Sequence, residues 1–186
     1  MSTKRTPLHS HCLEKGSRMV NFAGWEMPIQ FSSLINEHNS VRNKSGIFDI
    51  SHMGVFLITG NNPKDELQKL VPSDLHRIGP GEACYTVLID DKGGIIDDLI
   101  IYDLGTDDAN NNERLLTVLN AARAKTDIDW LMGHLNTNNI EISDAKNNGI
   151  LLALQGPESS HQLKKILGES FVKIPKFGHR EIPIKL

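Results

Sequence analysis

The sequence predicts an α+β fold, and three observations point to it. Between Gly54 and Leu135 the apolar periodicity reads as strand, helix, hairpin, strand and helix in turn. The run Ile95–Tyr102 is dense in β-branched and aromatic residues and follows a Gly93-Gly94 turn, the pattern of a strand leaving a hairpin. A length of 186 residues suits one domain, or one larger domain with two lobes.

From Thr6 to Asp49 the chain reads as turns with one helix. Ser32-Ser33 supplies an N-cap, Leu34-Ile35, His38 and Val41-Arg42 recur at helical spacing, and Gly46 ends the run. Before it, Phe22-Ala23-Gly24-Trp25-Glu26-Met27-Pro28 is too rich in Gly, Pro and aromatics for regular structure and reads as a packed loop. Gly54–Thr59 is a strand, and Gly60-Asn61-Asn62-Pro63 turns into a helix from Pro63 to Leu70. Proline suits that first helical position because its missing N–H would have no partner there.

Ile78-Gly79-Pro80-Gly81 is a loop. Cys84–Ile89 and Ile95–Tyr102 form the hairpin through Asp90-Asp91-Lys92-Gly93-Gly94. Thr106–Asn112 is a polar, solvated loop tip, and Arg114–Leu119 is the next strand. A helix from Arg123 to Leu135 buries Ile128, Trp130, Leu131 and Leu135, then ends in the turn Asn136–Asn139. Asn139–Ser143 and Gly149–Leu154 read as strands, the second wholly apolar and therefore central. Gln155-Gly156-Pro157 breaks it, Ser159–Leu167 is a helix, and Glu181–Leu186 begins a half-buried strand.

Composition narrows the function classes. With 39% hydrophobic and 23% charged residues and a net charge of −3, the chain has no basic run with which to neutralise phosphates, so nucleic acid is not the expected partner. No apolar stretch approaches the ~20 residues of a membrane span, and Met1–Arg5 lacks a secretory signal's apolar core. Cys12 and Cys84 do not suggest a disulfide framework, which makes a reducing cytoplasm the expected compartment.

Asp97-Asp98 interrupts the strand Ile95–Tyr102. Side chains alternate along a strand, so Ile96, Asp98, Ile100 and Tyr102 share one face while Ile95, Asp97, Leu99 and Ile101 share the other. Each otherwise apolar face carries one acid. An unpaired buried carboxylate costs several kcal/mol, so each needs a partner charge, a cap or a ligand. The residues alone leave a solvated or structural role open beside a ligand-binding one. Metal is disfavoured, because one carboxylate per face cannot chelate a single ion.

Other motifs carry less. His9-Ser10-His11-Cys12 lacks the second pair a tetrahedral metal site needs. Ser51 and His52 are adjacent in an extended stretch and point apart, which separates a nucleophile from its base. Gly79-Pro80-Gly81 and Gly93-Gly94 lack the spacing and following helix of a phosphate loop.

Four segments together resemble the aminomethyltransferase (T-protein) family of the glycine cleavage system. They are Phe22–Pro28, Phe48-Asp49-Ile50-Ser51-His52-Met53-Gly54, Gly93-Gly94-Ile95-Ile96-Asp97-Asp98-Leu99-Ile100, and Leu152-Ala153-Leu154-Gln155-Gly156-Pro157, with Thr6-Pro7-Leu8 ahead of them. The resemblance runs from residue 6 to the end but covers only the N-terminal half of the family pattern, because the later Tyr-Thr-Gly-Glu segment and arginine-bearing domain lie outside it. The chain is therefore expected to be truncated.

The resemblance implies a two-lobed folate-binding module over residues 1–186. An inserted ferredoxin-like lobe spans about 54–141, and the flanking pieces, about 1–53 and 142–186, join as the other lobe. It implies transfer of a one-carbon unit from the aminomethyl-dihydrolipoyl arm of a lipoylated carrier (H-) protein to tetrahydrofolate, giving 5,10-methylenetetrahydrofolate and ammonia, without a metal. It places Asp98 at the folate's reactive nitrogens, as the catalytic carboxylate in a site that excludes water. Met53, Tyr85, Tyr102 and Asn120 become candidates for the folate cavity, each with ordinary core packing as the alternative. Asp97 faces away toward a structural partner, and Trp25 reads as a core anchor. Rival readings are a demethylating domain, a folate-binding relative that assists iron–sulfur assembly, and an inactive fragment.

Overall fold

The computed structural model describes residues 3–135, 139–147, 149–169 and 174–182. The chain divides into two compact units, Met1–His52 with Asn148–Lys173, and Met53–Asn147 with Ile174–Leu186. Among the described residues no helix is long and apolar enough to cross a membrane.

The first unit holds helix α1 (His9–Glu14), the hairpin β1 (Arg18–Phe22) and β2 (Trp25–Gln30), helix α2 (Leu34–Asn43) and strand β3 (Gly46–Asp49). The hairpin replaces the packed loop expected over residues 22–28. Phe22 pairs with Trp25, so Ala23 and Gly24 alone make the turn, at φ +51° and +81°. Two successive left-handed residues match the twist of a two-residue hairpin, but Ala-Gly lacks the Asn-Gly signature that would announce it. α2 forms where expected. Ser33 Oγ accepts from Asn36 N, and the Glu37 carboxylate accepts from the backbone N–H groups of Phe31, Ser32 and Ser33, which holds that side chain below its usual carboxyl range. Cys12 and Met27 are the buried apolar side chains described in this unit.

Among the described residues the apolar run near residue 152 is not central. Strand β9 (Leu152–Gln155) is described in a two-stranded antiparallel ribbon with β3, and Leu152 is 42% exposed. Leu152 instead borders a cleft of about 770 Å3 lined also by Ile29, Phe31, Ile47, Phe48 and Ile150. Beyond β9, Gly156 (φ +112°) lies so near Val41 O and Lys44 O that a Cβ would fall 2.6 and 2.5 Å from them. Helix α5 (Ser159–Leu167) follows.

The second unit is a five-stranded antiparallel sheet in the order β5-β6-β7-β4-β8. Its strands are β4 (Gly54–Gly60), β5 (Ala83–Ile89), β6 (Ile95–Thr106), β7 (Glu113–Leu119) and β8 (Glu141–Asp144). Helix α3 (Pro63–Gln68) follows β4, and helix α4 (Ala124–Leu135) connects β7 to β8. This is the strand and helix order of a ferredoxin-like unit with one strand added in the middle. Both helices cover one face. Leu67, Leu70, Ile128, Leu131 and Leu135 pack with Ile58, Leu88, Leu99, Ile101, Leu115 and Leu119 in one buried cluster.

The sequence reading sends Glu181–Leu186 into a strand of the flanking lobe. In the structure Glu181 and Ile182 are not in a regular element, and 183–186 lie outside the described residues, as does the expected turn at 136–138. The 174–182 segment belongs instead to the second unit. Ala83 N donates to Phe177 O at 2.6 Å, Gly178 bridges to Glu82, and His179 N donates to Gly81 O at 2.9 Å.

β6 carries a third acid, Asp103, which is buried on the helix-covered face. Lys64 Nζ of α3 donates to it at 2.5 Å and also to Ile78 O at 2.9 Å. Lys64→Ala strands that carboxylate and is expected to destabilise the chain by about 3–5 kcal/mol in urea unfolding. Gly156→Ala is expected to cost about 1–3 kcal/mol in the same assay, because a left-handed position and two carbonyl contacts oppose the added methyl.

Candidate functional site

Three of the expected site residues meet on the open face of the second unit's sheet. The β5–β6 register sets Tyr85 opposite Ile100 and Val87 opposite Asp98, so Tyr85 and Asp98 are diagonal neighbours on one face. Tyr85 Oη donates to Asp98 Oδ2 at 2.9 Å. Asn120 stands just past β7, in the turn leading to α4, where its carbonyl accepts from Arg123 N at 3.0 Å. Its side-chain Nδ2 donates to Asp98 Oδ1 at 3.0 Å, Asp98 O at 3.1 Å and Asp97 Oδ1 at 3.2 Å. One amide thus grips both acids where the strand passes their side chains to opposite faces.

Asp98 is half-buried and Tyr85 is 56% exposed. The expected exclusion of water is therefore not met among the described residues of this unit, because both helices cover the other face. The Asp98 carboxylate pushes the Tyr85 phenol above its ordinary pKa, first through the hydrogen bond and then by charge, since a phenolate beside an anion is disfavoured.

The remaining two candidates stand apart from this clamp. Gly54 pairs with Leu119, which brings Met53 to the strand end where Asn120 lies, and Met53 O accepts from Lys146 Nζ at 2.7 Å. Tyr102 shares the face of Asp98 but lies four residues, or about 13 Å, along the strand. Its ring meets His179 edge-on at 5.5 Å, and burial raises its phenol pKa.

On the covered face the structure adds residues that sequence reasoning missed. Asp97 Oδ1 is held by Asn120, while Asp97 Oδ2 is buried without a donor group. Asp127 in the first turn of α4 is 0% exposed and lies within hydrogen-bonding reach of Asp97. Burial first, then Asp97, raises the Asp127 pKa to about 7, against a smaller opposing effect of Arg123. The available signal was helical spacing: Asp127 lies four residues before Leu131 and eight before Leu135, on the buried stripe. Arg123 itself is anchored through Nη2 to Ile96 O at 3.3 Å.

The His9–Cys12 segment forms α1 rather than a ligand set. His9 Nε2 lies 2.9 Å from Glu26 Oε2, and burial raises the Cys12 thiol pKa. No cluster of three His, Cys, Asp or Glu suited to a metal occurs among the described residues.

The family model for the GCVT N-terminal domain matches residues 8–184. An aminomethyltransferase of Prochlorococcus marinus is 66% identical over 186 residues, covering 100% of this chain and 50% of that protein. One from Parasynechococcus marenigrum is 56% identical over 185 residues, again covering 100% of this chain and 50% of the relative. The chain spans about half the length of the curated relatives it matches. The crystal structure of glycine cleavage system aminomethyltransferase T from Bartonella henselae superposes with a TM-score of 0.79 at 31% identity, over 88% of this chain and 44% of that one.

The chain's tyrosines, Tyr85 and Tyr102, allow the clamp to be read directly. In Asp98→Asn the Tyr85 transition is expected to move to lower pH while that of Tyr102 stays in place. Phenolate absorbance followed through an alkaline titration checks it, and two unmoved transitions would contradict the Tyr85–Asp98 bond.

Proposed function

The chain belongs to the GCVT N-terminal domain family, and from that premise we propose that it carries the folate-contacting carboxylate of an aminomethyltransferase. The substrate is tetrahydrofolate, and the donor is the aminomethyl group on the dihydrolipoyl arm of a lipoylated carrier protein. In the transfer the carbon leaves sulfur and the amino nitrogen and forms bonds to N5 and N10 of the folate. The two folate N–H protons leave with ammonia and with the freed thiol, which balances the step without a metal or an oxidant.

The observation that supports this reading is the clamped Asp98 carboxylate. A carboxylate offers about four lone-pair sites. Tyr85 and Asn120 occupy one on each oxygen and leave the others for incoming N–H groups. Two fixed donors hold the carboxylate plane in place, so binding an amine requires little side-chain reordering. An ionised Asp98 orients the folate nitrogens and stabilises positive charge that develops on nitrogen as the methylene group arrives. Tyr85, exposed and bonded to Asp98, offers an aromatic surface to the ligand. Met53 borders the strand end that carries Asn120, and Tyr102 lies farther along the face of Asp98, against His179.

Calorimetric titration of tetrahydrofolate into this chain and into Asp98→Asn tests the reading. Loss of a charge-assisted hydrogen bond is expected to weaken binding by about 10- to 100-fold. Equal affinity in the variant would remove Asp98 from the site. No binding to the wild-type chain would overturn the claim that this half has folate affinity of its own. Binding that falls in the variant, without transfer from a loaded carrier in a longer chain, would favour the non-transferring folate-binding relative.

A further inference from the structure

Two acids on the covered face of β6 meet their burial in opposite ways. Asp103 receives the Lys64 ammonium. Asp97 receives no cation among the described residues. It has one Asn120 N–H on Oδ1 and a buried Oδ2 without a donor, and within hydrogen-bonding reach lies a second carboxyl group, Asp127, whose own two oxygens are buried without a donor. Three donor-free carboxyl oxygens cannot share one dry space as two anions. A proton between them resolves the conflict, because a carboxylic acid donates the missing hydrogen bond.

We propose that Asp127 is a positioning residue that carries a proton, donates it in a hydrogen bond to the Asp97 carboxylate, and so fixes Asn120 and, through Asn120, the orientation of Asp98. The chain of contacts is continuous across the sheet. Asp127 reaches the Asp97 carboxyl group, Asp97 Oδ1 accepts from the Asn120 amide, and that same amide donates to Asp98 Oδ1 on the open face.

The surroundings support a shared proton rather than a counter-ion. The charged groups acting on Asp127 are Asp97 and Asp98 from β6 and Arg123 from the turn before α4. The Arg123 guanidinium is bonded to the Ile96 carbonyl, and its attraction is outweighed by burial and by the Asp97 carboxylate. On β5, the residue opposite Asp97 is the apolar Leu88. From α3, which packs against α4, Lys64 is committed to Asp103 and Lys69 to Glu66.

The device has a pH sign. The folded chain keeps a proton at Asp127 that the unfolded chain releases in the ordinary carboxyl range. The folded state thus binds more protons, and the stability this contributes is complete below that range and is lost as pH rises through about 7. Ionisation should also push Asp97 and Asp127 apart and loosen Asn120.

The effect on Asp98 as a folate ligand rests on the proposed function, so the test begins with readouts that need no folate. The wild-type chain is compared with Asp127→Asn, which keeps a donor at every pH, and with Asp127→Ala, which has none. Infrared difference spectra of wild type against Asp127→Asn should show a protonated carboxyl band at mildly acidic pH that vanishes on titration through about 7. The Asn120 side-chain amide resonances, assigned with Asn120→Asp, should shift over the same range in wild type and stay flat in Asp127→Asn. Absence of the acid band, or an Asn120 amide insensitive to pH in wild type, would overturn the proposal. So would an identical response of the Asn and Ala variants.

Tetrahydrofolate titration is then the second arm. Asp127→Asn should retain wild-type affinity without its decline toward alkaline pH, while Asp127→Ala should bind about tenfold more weakly. A wild-type chain that fails to bind would overturn folate affinity in this half, and the spectra would still decide the role of Asp127.

Discussion

Strand β6 sends one of two consecutive carboxylates to each face of the sheet, and the desolvation of the inner one governs much of the second unit. Because strand side chains alternate, Asp97 and Asp103 point to the helix-covered side in the company of Leu99 and Ile101, Asp103 fully buried and Asp97 half-buried with one buried oxygen. Each acid needs a local answer. For Asp103 it is an ammonium delivered by α3; for Asp97 it is an amide from the β7–α4 turn and a second carboxyl from α4. The placement of both helices over the sheet is thus tied to polar demands as well as to apolar burial.

The same constraint builds the outer face. Asn120 occupies the point where β7 ends and the chain turns into α4, which is also the point where β6 carries Asp97 and Asp98 to opposite sides. An amide there reaches both. Asp98 is then held between Asn120 and Tyr85 while its remaining lone pairs face outward. A site on paired strands inherits the rigidity of the sheet, which the role proposed for Asp98 requires. The first unit has a different character, with little buried apolar surface and an apolar cleft beside β9.

Legibility followed the strength of local signals. The strands, hairpin and helices of the second unit were readable within a few residues, since alternation and helical spacing are local properties of the chain. The turn at Ala23-Gly24 was not, because its left-handed backbone is adopted by an alanine without the usual turn chemistry. The apolar run ending in Leu154 was read as central from burial on both faces, but what flanks a strand is a matter of tertiary pairing, and here β3 alone is described beside it. The family resemblance sends the segment 174–182 to the flanking lobe with the rest of 142–186, whereas backbone hydrogen bonds to Gly81 and Ala83 set its place.

The sequence by itself determined the α+β class, the order of elements from Gly54 onward, the opposite facing of Asp97 and Asp98, and the segments that resemble the aminomethyltransferase family. It also supplied Tyr85, Asp98 and Asn120 as candidates. Only the tertiary structure decided that these three touch, that Tyr102 turns to His179, and that Asp97 meets Asp127. The reason is one of range. Periodicity assigns a side chain to a face, but which residue of another element it meets there depends on how helix and sheet pack, and that is settled jointly by residues dozens of positions apart.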